Sequence, residues 1–298
     1  MGKFSVVASC PPNKKPKILK VAAVQKGAWS PPLADVASRL GGGGYFLFGV
    51  DIETHHFTKA RGGTANRDEF GHYSLCRPVD LEARVVQLGW SFGPAGGAAT
   101  VRTRIVKPRG FQVSQIATDV HKITHQQAEK EGMDLEMVLQ EFTDDLFYHA
   151  AGHGARLVSH HLAFDAGILS REMARCHMQE TRLRFAAIVK KGLCTMDPHI
   201  GRWLRGCWGE DTGTEESMHT MKLQDLVQKL LPEAHDLLDR LHDAGVDALL
   251  HRKLGYAIYG LSRAPCRLSC RGGDDTHRKQ PLAGQPEIEE CSLCGERF

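Results

Sequence analysis

The apolar run Tyr45-Phe46-Leu47-Phe48-Gly49-Val50 stops abruptly at Asp51. A short stretch of this kind, free of charge and too brief for an amphipathic helix, matches a strand buried on both faces. Such a strand must lie inside a sheet with layers above and below it, so it dictates the architecture of whatever surrounds it. Two more strands follow. Arg84 to Phe92 alternates apolar and polar residues, and Thr100 to Val106 reads as a third strand before Pro108. The three predict an antiparallel meander. The polar, glycine-bearing stretch from Thr58 to Pro78 reads as a long loop between the first two.

The chain then turns helical. Leu135, Val138, Leu139, Phe142 and Leu146 recur at helical spacing. Ala155 to Ser159 reads as a short strand, and Phe164, Ile168, Leu169 and Met173 mark another helix face. Lys222 to Leu231 predicts a helix stopped by Pro232, and Asp243 to Leu261 the last long one. Gly206 to Ser217 reads as a polar insertion loop. Three strands followed by alternating helices and strands predict one α/β layer fold over residues 45–263.

Composition narrows the function. The chain has 298 residues, 42% hydrophobic and 24% charged, enough for one large domain with tails. No run of about 18 apolar residues is present, so no membrane-spanning helix is expected. The nine cysteines are odd in number and follow no secretory pattern. Free thiols and an intracellular setting, cytoplasm or nucleus, are therefore expected. Residues 1–44 carry seven cations against Asp35 alone, so the net charge of +3 leaves the remaining body slightly acidic. An acidic body argues against nucleic-acid binding by basic patches alone. It suits carboxylates that hold divalent metals, because the ions reverse the local charge. Residues 1–44, rich in Pro, Lys and Gly and ending in Gly41–Gly44, read as a flexible basic arm. Their shortage of acids also fits an organelle transit segment, against which stand the scarce arginines and the lack of a clear amphipathic helix.

Chemistry concentrates in three places. Asp51 and Glu53 form an i, i+2 pair on a strand, which sends both carboxylates to one face. Two carboxylates that close repel unless a cation lies between them, and hard oxygen ligands suit Mg²⁺ or Mn²⁺. The second place is His160-His161-Leu162-Ala163-Phe164-Asp165, where Asp165 falls in the first turn of a helix. The dipole of that helix favours the ionised carboxylate. The third is His242-Asp243-Ala244-Gly245-Val246-Asp247, with Asp243 as the expected N-cap. Each alone is a commonplace of solvated turns and helix starts; the ordered set D-x-E, H-x-x-x-F-D, H-x-x-x-x-D is specific.

In that ordered set the chain resembles the DEDDh 3′→5′ exonucleases of the RNase H-like fold, the family of the proofreading subunit of bacterial DNA polymerase III, RNase T and the Trex-type repair exonucleases. The resemblance covers about residues 45–263. Gln115 to Thr124 looks like the family's loop after the third strand, and Arg156 to His161 resembles its approach to the second motif. His161 and Lys122 depart from the usual Asn and Gly.

The resemblance implies a mixed five-stranded sheet, three antiparallel strands then parallel ones, flanked by helices. It implies two Mg²⁺ ions, with Mn²⁺ as a substitute, held by Asp51, Glu53, Asp165 and Asp247, with His242 as general base. It implies that Thr54, His121 and Phe164 contact substrate, a single-stranded DNA or RNA 3′ end. A homodimer or a polymerase-complex partner is a further expectation from relatives. Cys266, Cys270, Cys291 and Cys294 have a spacing that suits structural Zn²⁺ in a C-terminal tail, residues 264–298. The alternative is a catalytically silent nucleic-acid-binding module on the same fold. A structural zinc-binding interaction protein is a third reading, resting on the tail alone.

Overall fold

The computed structural model describes residues 46–56, 66–74, 82–94, 97–208 and 220–263, and two short strands at Gln280–Pro281 and Glu289–Glu290. The basic arm at 1–44 and the cysteines Cys266, Cys270, Cys291 and Cys294 lie outside the described residues. So does most of the expected insertion loop at 206–217.

The strands, in chain order, are β1 (Leu47–Thr54), β2 (Asn66–Arg67), β3 (Tyr73–Ser74), β4 (Val85–Phe92), β5 (Thr100–Ile105), β6 (Arg156–Ser159) and β7 (Leu193–Cys194). The helices are α1 (Gln115–His121), α2 (His125–Glu131), α3 (Leu135–His153), α4 (Leu162–Arg175), α5 (Gln179–Val189), α6 (Pro198–Cys207), α7 (Leu223–Leu230) and α8 (Ala244–Arg263). A 3₁₀ segment, Pro232–Arg240, follows α7. One mixed sheet has the order β5-β4-β1-β6-β7. The β1–β4 and β4–β5 pairs are antiparallel, whereas β6 runs parallel to β1 and β7 parallel to β6. The expected mixed five-stranded sheet is therefore present, with β1 at its centre.

Residues 44–197 and 221–257 form one compact unit. A second unit takes in α6, the C-terminal end of α8 and the two short C-terminal strands. Inside the first unit one sheet face is apolar. Phe48, Val50 and Ile52 of β1 and Leu88 and Trp90 of β4 join Leu139, Phe142 and Leu146 of α3, Leu169 and Met173 of α4 and Phe185 of α5 in one core. The Trp90 indole N–H, buried with the ring, donates to Asp145 Oδ2 at 2.8 Å. At the start of β4 the register slips, and Glu53 pairs with Gln87 but Thr54 with Val85. The extra residue, Val86, packs with Ala117, Ile123 and Ala128 beneath α1 and α2.

The opposite face of the sheet is built for close approach. A Cβ added to Gly49 would lie 2.0 Å from the Ala248 carbonyl oxygen, and one on Gly89 would lie 2.1 Å from that of Ala244. Only glycine at these strand positions lets the α8 backbone rest directly on β1 and β4.

Two expectations need correction. The stretch from Gln115 to Thr124, read as a loop, contains α1 and leads into α2. Ser114 accepts the Ala117 N–H at 3.2 Å and Thr124 accepts the Gln127 N–H at 3.0 Å, so each helix has its own side-chain cap. The 58–78 stretch is also more than a loop, because β2 and β3 pair within it across a turn in which Asp68 Oδ1 accepts the N–H groups of Phe70 and His72.

Candidate active site

Asp51 and Glu53 project from β1 toward α8, and their cross-strand partners are Gly89 and Gln87. Asp165 sits in the first turn of α4, just past the end of β6, and is 2% exposed. The Ser159 hydroxyl donates to its Oδ2 and the Ile52 N–H adds a second hydrogen bond, so this one carboxylate ties α4 to both β6 and β1.

The loop before α8 is held just as tightly. Asp243 Oδ1 accepts the N–H of Gly245 at 3.0 Å and lies 3.4 Å from that of Val246, which makes Asp243 the expected N-cap. His242 adopts a left-handed backbone, φ 70°, and its N–H donates to Asp247 Oδ2 at 2.9 Å. The His242 ring stays half-exposed with Nδ1 3.8 Å from Glu53 Oε1. Candidate ligand atoms of Glu53, His242 and Asp247 all lie within 4.8 Å of one another. Asp247 Oδ1 is buried and has no hydrogen-bond partner.

That orphan oxygen and its neighbours create an electrostatic problem. Burial, and then the negative charges of Asp247 and Asp165, push the Asp51 and Glu53 carboxyls well above the ordinary carboxylate range. Burial raises Asp165 to about 7 against the hydrogen bond from Ser159. Burial, with Asp243 nearby, raises Asp247 to about 7 against the N–H of His242. Three buried carboxylates and the part-buried Asp51, which resist ionisation together and leave one oxygen unused, match a hard divalent cation such as Mg²⁺ or Mn²⁺. His242 has the opposite bias. Burial, then the Lys122 charge, lowers its imidazole.

The other sequence-derived positions are close by but internally bonded. His121 is buried and donates from Nε2 to the Thr54 carbonyl at 3.2 Å, while its Nδ1 accepts the Ile123 N–H at 3.1 Å. The Thr54 hydroxyl donates to the His56 carbonyl at 3.0 Å. Together they brace the end of β1. The Phe164 ring stacks on His161 with centroids 5.8 Å apart.

Two residues escaped sequence reasoning. Gln87, 8% exposed, accepts the Ala244 N–H on Oε1 at 2.9 Å. Nothing in its sequence context sets it apart, since it is one of the polar positions of the alternating strand β4. His251 donates from Nδ1 to the Val50 carbonyl at 2.8 Å, with Nε2 4.0 Å from Asp51 Oδ1. Burial pushes its imidazole down to about 4. The i, i+4 spacing from Asp247 places it one turn further along the same helix face.

No family model matches the chain, and no curated protein matches it. Solved structures do. The nuclease domain of 3′hExo, a DEDDh family member, bound to rAMP, superposes with a TM-score of 0.46 at 14% identity, over 74% of this chain and 94% of that one. In fold, the chain is similar to such nucleases. Escherichia coli exonuclease I in complex with a dT13 oligonucleotide gives a TM-score of 0.46 at 13% identity, over 74% of this chain but 42% of that one. Cell-death related nuclease 4 gives a TM-score of 0.45 at 14% identity, over 72% of this chain and 64% of that one. The chain thus spans less than half the length of the bacterial exonuclease. No described helix is long and apolar enough to cross a membrane.

Proposed function

We propose that this chain is a metal-dependent 3′→5′ exonuclease of the DEDDh type that acts on single-stranded DNA or RNA ends. The observation that carries the reading is the gathering of Asp51, Glu53, Asp165 and Asp247 into one mutually repelling cluster, with Asp247 Oδ1 buried and unpaired, beside His242.

Asp51, Glu53, Asp165 and Asp247 would hold divalent ions, which when bound supply an activated water and neutralise charge on the scissile phosphate. The protein's own contribution is positional. The Ser159 hydroxyl and the Ile52 N–H fix the Asp165 carboxylate, and β1 sends Asp51 and Glu53 to the same face, so little reorganisation is needed during reaction. His242, whose Nδ1 lies 3.8 Å from Glu53 Oε1, would take the proton of the attacking water on its ring. General-base help of this kind is worth about 10²–10⁴ in rate. The full set of carboxylates and histidine favours catalysis over a silent binding module.

The test is digestion of 5′-labelled single strands, as DNA and as RNA, with Mg²⁺, with Mn²⁺ and with EDTA, beside Asp51→Asn and His242→Ala. A metal-dependent ladder that shortens from the 3′ end and vanishes in both variants supports the reading. Intact strands that the protein nevertheless binds would replace it with the binding-module reading.

A further inference from the structure

We propose that Gln87 is a positioning residue that sets where His242 and Asp247 stand relative to the β1 carboxylates; the inference rests on the exonuclease reading above. The segment that opens α8 has main-chain N–H groups whose acceptors can be followed one by one. That of His242 goes to Asp247 and that of Gly245 to Asp243, with Val246 beside the same Asp243 oxygen, all within the segment itself. That of Ala244 goes to Gln87 Oε1, a side chain from the sheet. Gln87 sits directly across from Glu53 in the antiparallel β1–β4 ladder, so both side chains leave the same face. One amide oxygen therefore references the start of α8 to the strand pair that carries Asp51 and Glu53.

The bond is buried and of ordinary length, 2.9 Å, where a lost acceptor cannot be replaced by water. The segment it anchors is also unusual, because His242 is held in the left-handed region that a residue with a Cβ rarely adopts. Without the anchor, the left-handed turn has no hydrogen bond to the sheet among the described residues, and the His242 ring loses its fixed offset from Glu53. Misplacement of a reacting group by about 1 Å can cost roughly 100-fold in rate.

Gln87→Met removes the acceptor at nearly constant volume, and Gln87→Glu keeps an acceptor oxygen in place. Two measurements are combined: steady-state kinetics on a single-stranded oligonucleotide with Mg²⁺, and hydrogen exchange of the metal-free protein. In Gln87→Met, kcat should fall about 10- to 100-fold with KM changed by less than about twofold. The Ala244 amide should exchange at least about tenfold faster while the β1 amides keep their protection. Gln87→Glu should recover the Ala244 protection, while its carboxyl adds to the acidic cluster across from Glu53. Wild-type kcat in folded Gln87→Met overturns the inference, as does a folded Gln87→Glu whose Ala244 amide exchanges as fast as in Gln87→Met. If the wild-type protein digests nothing, the exonuclease reading fails on its own, and an unchanged Ala244 exchange rate in Gln87→Met then overturns the anchoring role separately.

Discussion

The main-chain N–H of His242 donates to Asp247 Oδ2 at 2.9 Å, so one carboxylate both closes the acidic cluster and holds the loop that presents the imidazole. Its second oxygen is left buried and unpaired. Asp247→Asn separates these roles, because the amide oxygen can still accept the His242 N–H while the charge is gone. The metal-free variant should be more stable than the wild type by about 1 kcal/mol, since a buried like charge is removed. Its melting temperature should no longer rise with added Mn²⁺ or Mg²⁺. Calorimetry with and without metal reads both effects.

The same cluster predicts a pH dependence. Asp165 and Asp247 titrate near 7 in the folded state, against an ordinary value of 3.8. Between those limits the folded state binds more protons than the unfolded one, so stability falls as pH rises. These two carboxyls therefore pull the metal-free melting temperature down from about pH 4 to about pH 7, against buried histidines such as His251 that pull it up, so Asp247→Asn should gain on the metal-free wild type across that range. A difference between the two that stays constant with pH would contradict the raised Asp247 carboxyl.

Gly89→Ala should be costly out of proportion to its size. The new methyl would lie 2.1 Å from the Ala244 carbonyl oxygen, and a helix backbone cannot yield as a flexible side chain can. A loss of about 1–3 kcal/mol in urea unfolding is expected. Any residual folded protein should have lost activity, because the start of α8 is displaced. Gly152→Ala is the control. Nothing lies within 4 Å of a Cβ there, and in α3 alanine should gain about 0.5 kcal/mol.

Glu172 has no exposed surface and accepts from Arg84 Nε at 2.8 Å and from the Val85 N–H at 3.1 Å. Glu172→Ala strands both donors at the entrance to β4. The expected loss is about 3–5 kcal/mol, read by denaturant titration. Replacement of Glu172 by Gln, which keeps an acceptor, should cost less.

Lys122 ends α1 in the left-handed region, φ 64°. Lys122→Gly should stabilise the protein by about 1 kcal/mol by removing a strained side chain. It also removes a positive charge that lowers His242. The acid limb of the kcat/KM profile should accordingly move to higher pH. A limb that stays in place would show that burial alone sets the imidazole.

What could be read from the chain beforehand were features whose signal is local. The buried strand at Phe46–Val50, the D-x-E pair and the Asp243 cap each depend on residues within a few positions of one another, and each appears where expected. α1 and α2 were missed because each is only seven residues long, too short for periodicity to show, although Ser114 and Thr124 carried the capping signal. Gln87, Gly49 and Gly89 were opaque for a different reason. Their meaning lies in how closely α8 approaches the sheet, and that approach joins segments about 150–200 positions apart. His121 looked like a lining residue because of its place in a loop, yet its bond to Thr54 is visible only once both segments are packed.

The acidic cluster draws Asp51 and Asp247 together from nearly opposite ends of the described chain. During synthesis the β1 carboxylates emerge first and stay hydrated, since nothing yet covers them, and the helix that completes the set leaves the ribosome about 10–40 s later at ordinary elongation rates. Partial chains that end before Asp247 therefore lack the assembled centre altogether.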